Sequence, residues 1–143
     1  MIKNIVHDGQ LLGLLVSHRF REEGLHFLTP EHLSLQLAFM RYPDGKAINP
    51  HTHIPATRSL QDTQEVLVIK SGKVRVDFYD NDQNYLESHQ LEAGDVILLA
   101  GGGHGFEVLE EAEMLEVKQG PYMGEGEKIR FHGIATDKIR LSE

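Results

Sequence analysis

The sequence predicts an all-β protein, a sandwich or barrel of short strands. Three observations carry this. Apolar and polar residues alternate at period two over several stretches. Turns bearing glycine or proline separate those stretches at roughly 8–12-residue spacing. No stretch keeps a 3.6-residue period over three helical turns.

The elements follow in order. Within the first thirty residues, Leu11 to Ser17 reads as a strand and Pro30-Glu31-His32 as a turn before the main sheet. In LSLQLAFMRY, Leu33, Leu35, Leu37 and Phe39 fall on one face, and Ser34, Gln36 and Ala38 on the other. That is a half-buried strand whose apolar face Arg41 continues. Tyr42-Pro43-Asp44-Gly45 is a turn. Glu65 to Lys70 is a second strand, Ser71-Gly72 a tight turn, and Lys73 to Tyr79 the returning strand of a hairpin. Asp80-Asn81-Asp82 turns again. Val96 to Leu99 is a short buried strand, and Gly101-Gly102-Gly103 leads into another from Gly105 to Leu109. Met114 to Gln119 closes the set, with Leu115 and Val117 expected on its inner face. The tail after Gly120 is polar, with one short strand expected near Ile129-Arg130-Phe131.

Composition bounds the function. The chain has 143 residues, 40% of them apolar and 25% charged, a globular profile that predicts a single domain over 1–143. It has no cysteine, so disulfides, thiolate metal sites and cysteine nucleophiles are excluded. Lys plus Arg is 14 against 22 for Asp plus Glu, a net charge of −8. Such a surface repels phosphate backbones, and nucleic acid is not expected as a partner. No apolar run approaches the ~20 residues of a membrane span, and the N-terminus lacks the apolar core of a signal peptide. A cytoplasmic protein is expected.

Nine histidines are the most informative feature. His51-Thr52-His53 places two imidazoles at i and i+2, which an extended strand turns to one face, where they can chelate one ion. The plainer reading is two exposed histidines. Glu65 shares a strand face with Leu67 and Ile69, where a carboxylate is costly unless paired or bound to metal. His104 shares a face with Phe106 and Val108 and follows three glycines that let the backbone turn sharply. A phosphate-cradling reading of those glycines needs a helix after them, and a strand pattern follows instead. His7, His18, His26, His32, His89 and His132 have no matching spacing and read as surface or structural groups.

These residues resemble the motifs of the cupin superfamily. Its first motif runs G-x5-H-x-H-x3,4-E-x6-G. Here Gly45 is followed by five residues, then His51, Thr52 and His53, and later by Glu65, six residues and Gly72. Its second runs G-x5-P-x-G-x2-H-x3-N. Here Gly94 is followed by DVILL, Ala100, Gly101, Gly102, Gly103 and His104. The resemblance covers about residues 33–119. The sequence departs by an inserted loop, Ile54 to Gln64, by Ala100 at the proline position, by a histidine one residue early, and by Val108 four residues after it. The resemblance implies a double-stranded β-helix, the jelly-roll or cupin barrel. It also implies one divalent transition metal on His51, His53, Glu65 and His104. Three imidazoles and a carboxylate suit Fe, Mn, Co, Ni, Cu or Zn.

Around that site, Arg41 is expected at the pocket mouth, or on its rim in water. Arg58, the inserted loop's one cation, is placed to clamp an acidic ligand, or is a solvated loop charge. Gln119 is expected to present an amide near the metal, and Tyr122 to close over it or simply to pack. The function expected is a metal-dependent cupin acting on a small, acidic or sugar-derived molecule, an isomerase or epimerase, or a dioxygenase. The alternative is a non-catalytic, metal-loaded cupin that binds or senses a small ligand. A homodimer is expected, pairing through the apolar segment Leu11 to Val16.

Overall fold

The computed structural model describes residues 1–142. It contains eight strands: β1 (Ile2–His7), β2 (Gln10–Val16), β3 (Gly24–Phe27), β4 (Ala38–Arg41), β5 (Glu65–Tyr79), β6 (Tyr85–Glu92), β7 (Val96–Leu99) and β8 (Gly103–Lys118). Six of them form one antiparallel sheet in the order β1-β2-β7-β5-β6, with β8 also paired to β5. This sheet curls into a half-barrel. Strands β3 and β4 form a separate two-stranded sheet. Short 3-10 turns lie at Glu125–Glu127 and Thr136–Lys138. Among the described residues no helix is long and apolar enough to cross a membrane.

The first hairpin turns at Asp8-Gly9, with φ of 49° and 76°. Positive φ at both central residues is the type I′ geometry that Asp-Gly favours between twisted strands. It sets β1 against β2, and β2 pairs β7 on its other side. The segment Leu11–Val16 therefore has no free edge for a second copy, contrary to the pairing expected from its apolarity.

Strand β5 departs most from the sequence reading. Ser71-Gly72 does not turn the chain back; β5 runs unbroken from Glu65 to Tyr79. Strand β8 follows it throughout, from Glu65↔Lys118 to Tyr79↔Gly103, as one strand rather than the two expected. The register slips between Ile69 and Val74, the mark of bulges that bend a ribbon. Gly72 sits in the bend with φ 80°, and a Cβ there would overlap the Glu111 carbonyl oxygen. Glycine thus serves a bend where the sequence suggested a hairpin, since both need positive φ. Before the bend β5 pairs β7, and after it β6.

The bend wraps the sheet around a core of Ile5, Leu12, Leu67, Ile69, Val74, Val76, Phe78, Leu91, Ile97 and Leu99. The opposite face buries Leu14, Val16, Phe20 and Leu98. Buried on both faces, β7 has a continuous apolar run instead of alternation. The expected strand over 33–42 survives only as β4. Before it, side chains take over the backbone bonding: Gln36 donates to the Pro30 and Leu33 carbonyls, and Leu37 N–H donates to Thr29. The apolar face persists nonetheless, because Leu33, Leu35, Leu37 and Phe39 pack on the second cluster.

The tail forms no strand at Ile129–Phe131. Phe131 instead packs edge-on against Tyr79, centroids 5.0 Å apart, and the Ile134 N–H donates to the Tyr79 hydroxyl at 2.9 Å. Further along, Ser88 and Leu141 form a parallel bridge. Beneath it Arg75 grips Asp77 with two hydrogen bonds, and Ser88 donates to the same carboxylate.

Gly72→Ala is expected to destabilise the protein by about 2–4 kcal/mol, from strain at positive φ plus the overlap with Glu111. Urea denaturation checks this.

Candidate functional site

The bend decides which side chains meet. Glu65 opens β5, and His104 pairs across from Phe78 near the far end of the same strand. Yet His104 Nε2 lies 3.4 Å from Glu65 Oε2. The two ends of the ribbon close on each other, and a cleft of about 690 Å³ opens beside the contact. Glu65, Leu67, His104, Phe106, Glu116 and Lys118 line the cleft from the sheet, and Glu127 to Phe131 form its other wall.

Glu65 is 9% exposed, on the face of Leu67 and Ile69 as its spacing predicts. Its contact with the His104 imidazole holds the carboxyl below the ordinary carboxylate range. Burial opposes this, and the charges of Lys118 and Lys128 add to it. At 3.4 Å the contact is longer than a strong charged hydrogen bond, so proximity matters more here than bond strength. Lys118 lies 3.8 Å from Glu65 on its other oxygen and 2.6 Å from Glu127. The Glu127 carboxylate raises the Lys118 pKa, with Glu65 and Glu116 assisting, so the ammonium stays charged.

His51 and His53 stand apart from this pair. They lie in the segment 42–64, which forms no strand and is exposed at every position from 42 to 63. Among the described residues no three metal-ligating side chains gather around one point. The four residues expected as one ligand set thus form two pairs: Glu65 with His104 in the cleft, and His51 with His53 on the loop. Within the loop pair the rings are 5.2 Å apart at 74°. Two imidazoles sharing one ion, with bonds near 2.1 Å, have centroids about 5 Å apart. The His51 Nδ1 lies 3.0 Å from the Asn49 carbonyl oxygen. A carbonyl only accepts, so Nδ1 is the donor in this contact and Nε2 is the nitrogen left to bind an ion. A backbone carbonyl fixing the tautomer is the usual support of a metal-ligating imidazole. Imidazole and carboxylate are donor types that first-row divalent ions accept, and here the two pairs lie on different parts of the chain.

The other expected site residues lie elsewhere. Arg41 is exposed, donates to the Arg21 carbonyl at 2.7 Å and does not line the cleft. Arg58 stands on the exposed loop and does not line it either. Gln119 is occupied in a clamp: its Oε1 accepts from the Gln64 N–H, and its amide donates to Ser34. Gln64 accepts in turn from Leu35 N–H and the Ser34 hydroxyl, which pins the base of the loop. Tyr122 is exposed. Leu115 and Val117, expected inward, are exposed, because the pairings Leu67↔Glu116 and Glu65↔Lys118 turn the charged residues of β8 to the cleft. Of the remaining histidines, His18 contacts Asp95 at 2.9 Å and His89 contacts Glu87 at 2.6 Å, both structural.

Lys118, Glu127, Lys128 and Phe131 were not anticipated. Only Lys118 carried a signal, as the charge two residues beyond Glu116 in a strand pattern. The rest sit in a polar tail without periodicity. No protein family matches the chain, and no curated protein or solved structure matches it.

Because the folded Glu65 carboxyl titrates below its unfolded value of about 4.5, it stabilises the fold above that pH. The contribution is lost as pH falls through the lowered folded value. Glu65→Gln should flatten the fall of Tm between about pH 5 and 3 relative to the parent, measured by thermal unfolding.

Proposed function

We propose that the protein is a metal-dependent cupin acting on a small molecule, with the cleft at Glu65 and His104 as its reaction site. The curled half-barrel is compatible with the double-stranded β-helix this reading requires. Glu65 and His104 would hold one divalent transition ion from the cleft, and His51 and His53 would complete the set from the loop. The observation that supports the reading is the His51–His53 pair, its rings 5.2 Å apart, with His51 Nδ1 3.0 Å from the Asn49 carbonyl oxygen. Loop 42–64 leaves the sheet next to Glu65, so its histidines are tethered to the carboxylate they would join.

When bound, such an ion supplies Lewis-acid polarisation of a substrate oxygen. The chain's own groups do the rest. Glu116 and Glu127 line the cleft as carboxylates outside the ligand set, able to accept a proton. Lys118 keeps its ammonium charged beside Glu65 and faces developing negative charge. Proton acceptors and a fixed cation around one cleft suit isomerisation or epimerisation more directly than oxygenation. They also favour an enzyme over a passive binder.

Untagged protein is expected to carry one equivalent of a first-row metal by elemental analysis. His51→Ala/His53→Ala and Glu65→Gln should each lose it while remaining folded by circular dichroism. Occupancy should fall as the solution is acidified, because protons compete with the metal for its ligands. Stoichiometric metal in the double histidine variant would sink the reading.

A further inference from the structure

The cleft's cations are unequally engaged. Lys118 is held by Glu127 at 2.6 Å and by Glu65 at 3.8 Å. Arg130 is 74% exposed and held by Glu125 at 2.6 Å. Lys128 lies between them in sequence and lines the same cleft, yet among the described residues it has no carboxylate within 4.0 Å. Its charge nonetheless reaches Glu65.

The charge balance of the cleft also differs from that of the chain. The protein carries −8. The cleft is lined by Lys118, Lys128 and Arg130 against Glu65, Glu116 and Glu127, as many cations as carboxylates. On a strongly acidic protein, a locally balanced concavity repels an anion less than the surrounding surface does. Within it, Lys128 is the cation with no carboxylate within 4.0 Å among the described residues.

We infer that the cleft takes a small molecule bearing a phosphate or carboxylate group, and that Lys128 binds that group. The remainder of the ligand lies against Phe106 and Phe131, with its reacting end toward His104. The inference deepens the proposed function by naming the substrate's chemical class. It moves the anion contact from Arg58, where the sequence suggested it, to the tail. A compact ammonium on a flexible stem suits an oxyanion whose position varies with the ligand, where a guanidinium fork would demand one geometry.

The test is an NMR titration with inorganic phosphate, and separately with acetate. It uses the protein as purified and after treatment with a chelator, with chloride at equal ionic strength as the control. Phosphate should shift the amide signals of residues lining the cleft, and Lys128→Gln should weaken its binding about tenfold, the scale of a charge-assisted hydrogen bond. Arg58→Gln should bind phosphate as the parent does, and Lys128→Gln should keep its full metal content. A preference for phosphate or for acetate identifies which oxyanion the cleft favours. The inference is overturned if the parent gives no response beyond chloride, if Lys128→Gln binds like the parent, or if Arg58→Gln is the variant that loses binding. The two readings fail separately. Binding that depends on Lys128 in a protein that takes no metal leaves the anion site standing and removes the metal centre. Full metal with an indifferent Lys128 does the reverse.

Discussion

The bend in the β5–β8 ribbon is the constraint on which the rest of the structure depends. Glu65 and Phe78 lie on one strand, and at the rise of an extended chain they would be separated by roughly 40 Å. Yet the residue paired with Phe78, His104, touches Glu65. Only a ribbon folded back across its own concave face allows this. The register slips between Ile69 and Val74, and Gly72 accepts a φ closed to most side chains beside a backbone carbonyl. Wrapping the ribbon encloses the apolar core, and its closing ends leave the cleft. Core and cleft are two outcomes of one backbone feature.

Much of this was legible in the sequence, residue by residue. Alternation located Glu65, Leu67 and Ile69 on one buried face, because a period of two fixes sidedness wherever pairing is regular. The apolar face of Leu33 to Phe39 was correct even where the strand was not. Burial and backbone pairing are separate demands, and Gln36 and Thr29 meet the second without a neighbouring strand. What failed failed at bulges and through long-range pairing. Ser71-Gly72 carries the same local signal for a hairpin as for a bend. The register between β5 and β8 then turned Glu116 and Lys118 to the open cleft and left Leu115 and Val117 on the opposite, exposed face. Asp8-Gly9 was a readable hairpin signal, overshadowed by the less regular residues around it.

The candidate site divides along the same line. The residues from strands, Glu65 and His104, lie in contact across the folded ribbon. The residues from the long loop do not join them in this conformation, since 42–63 has no buried position to fix where it lies. The cleft's second wall comes from 127–133, which has no periodicity for a sequence to display. It is held by contacts no local pattern encodes, Lys118 with Glu127 and Phe131 on Tyr79. Lys118 couples the parts: one ammonium touches both the sheet's buried carboxylate and the tail's, so the tail's position and the charge around Glu65 are linked.

Strand β8 has a further consequence for the molecule in a crowded solution. It is sixteen residues long and among the described residues pairs with β5 alone. A strand with one open side is a template for any other extended chain, and Val108, Leu115 and Val117 stand exposed along it. The same strand carries Glu107, Glu110, Glu111, Glu113 and Glu116, all exposed. Close approach of a like strand would bring these carboxylates together in a low-dielectric seam, at a cost that grows with each pair. The acidity concentrated there acts as a guard against edge-to-edge aggregation, and charge takes the place of a covering strand.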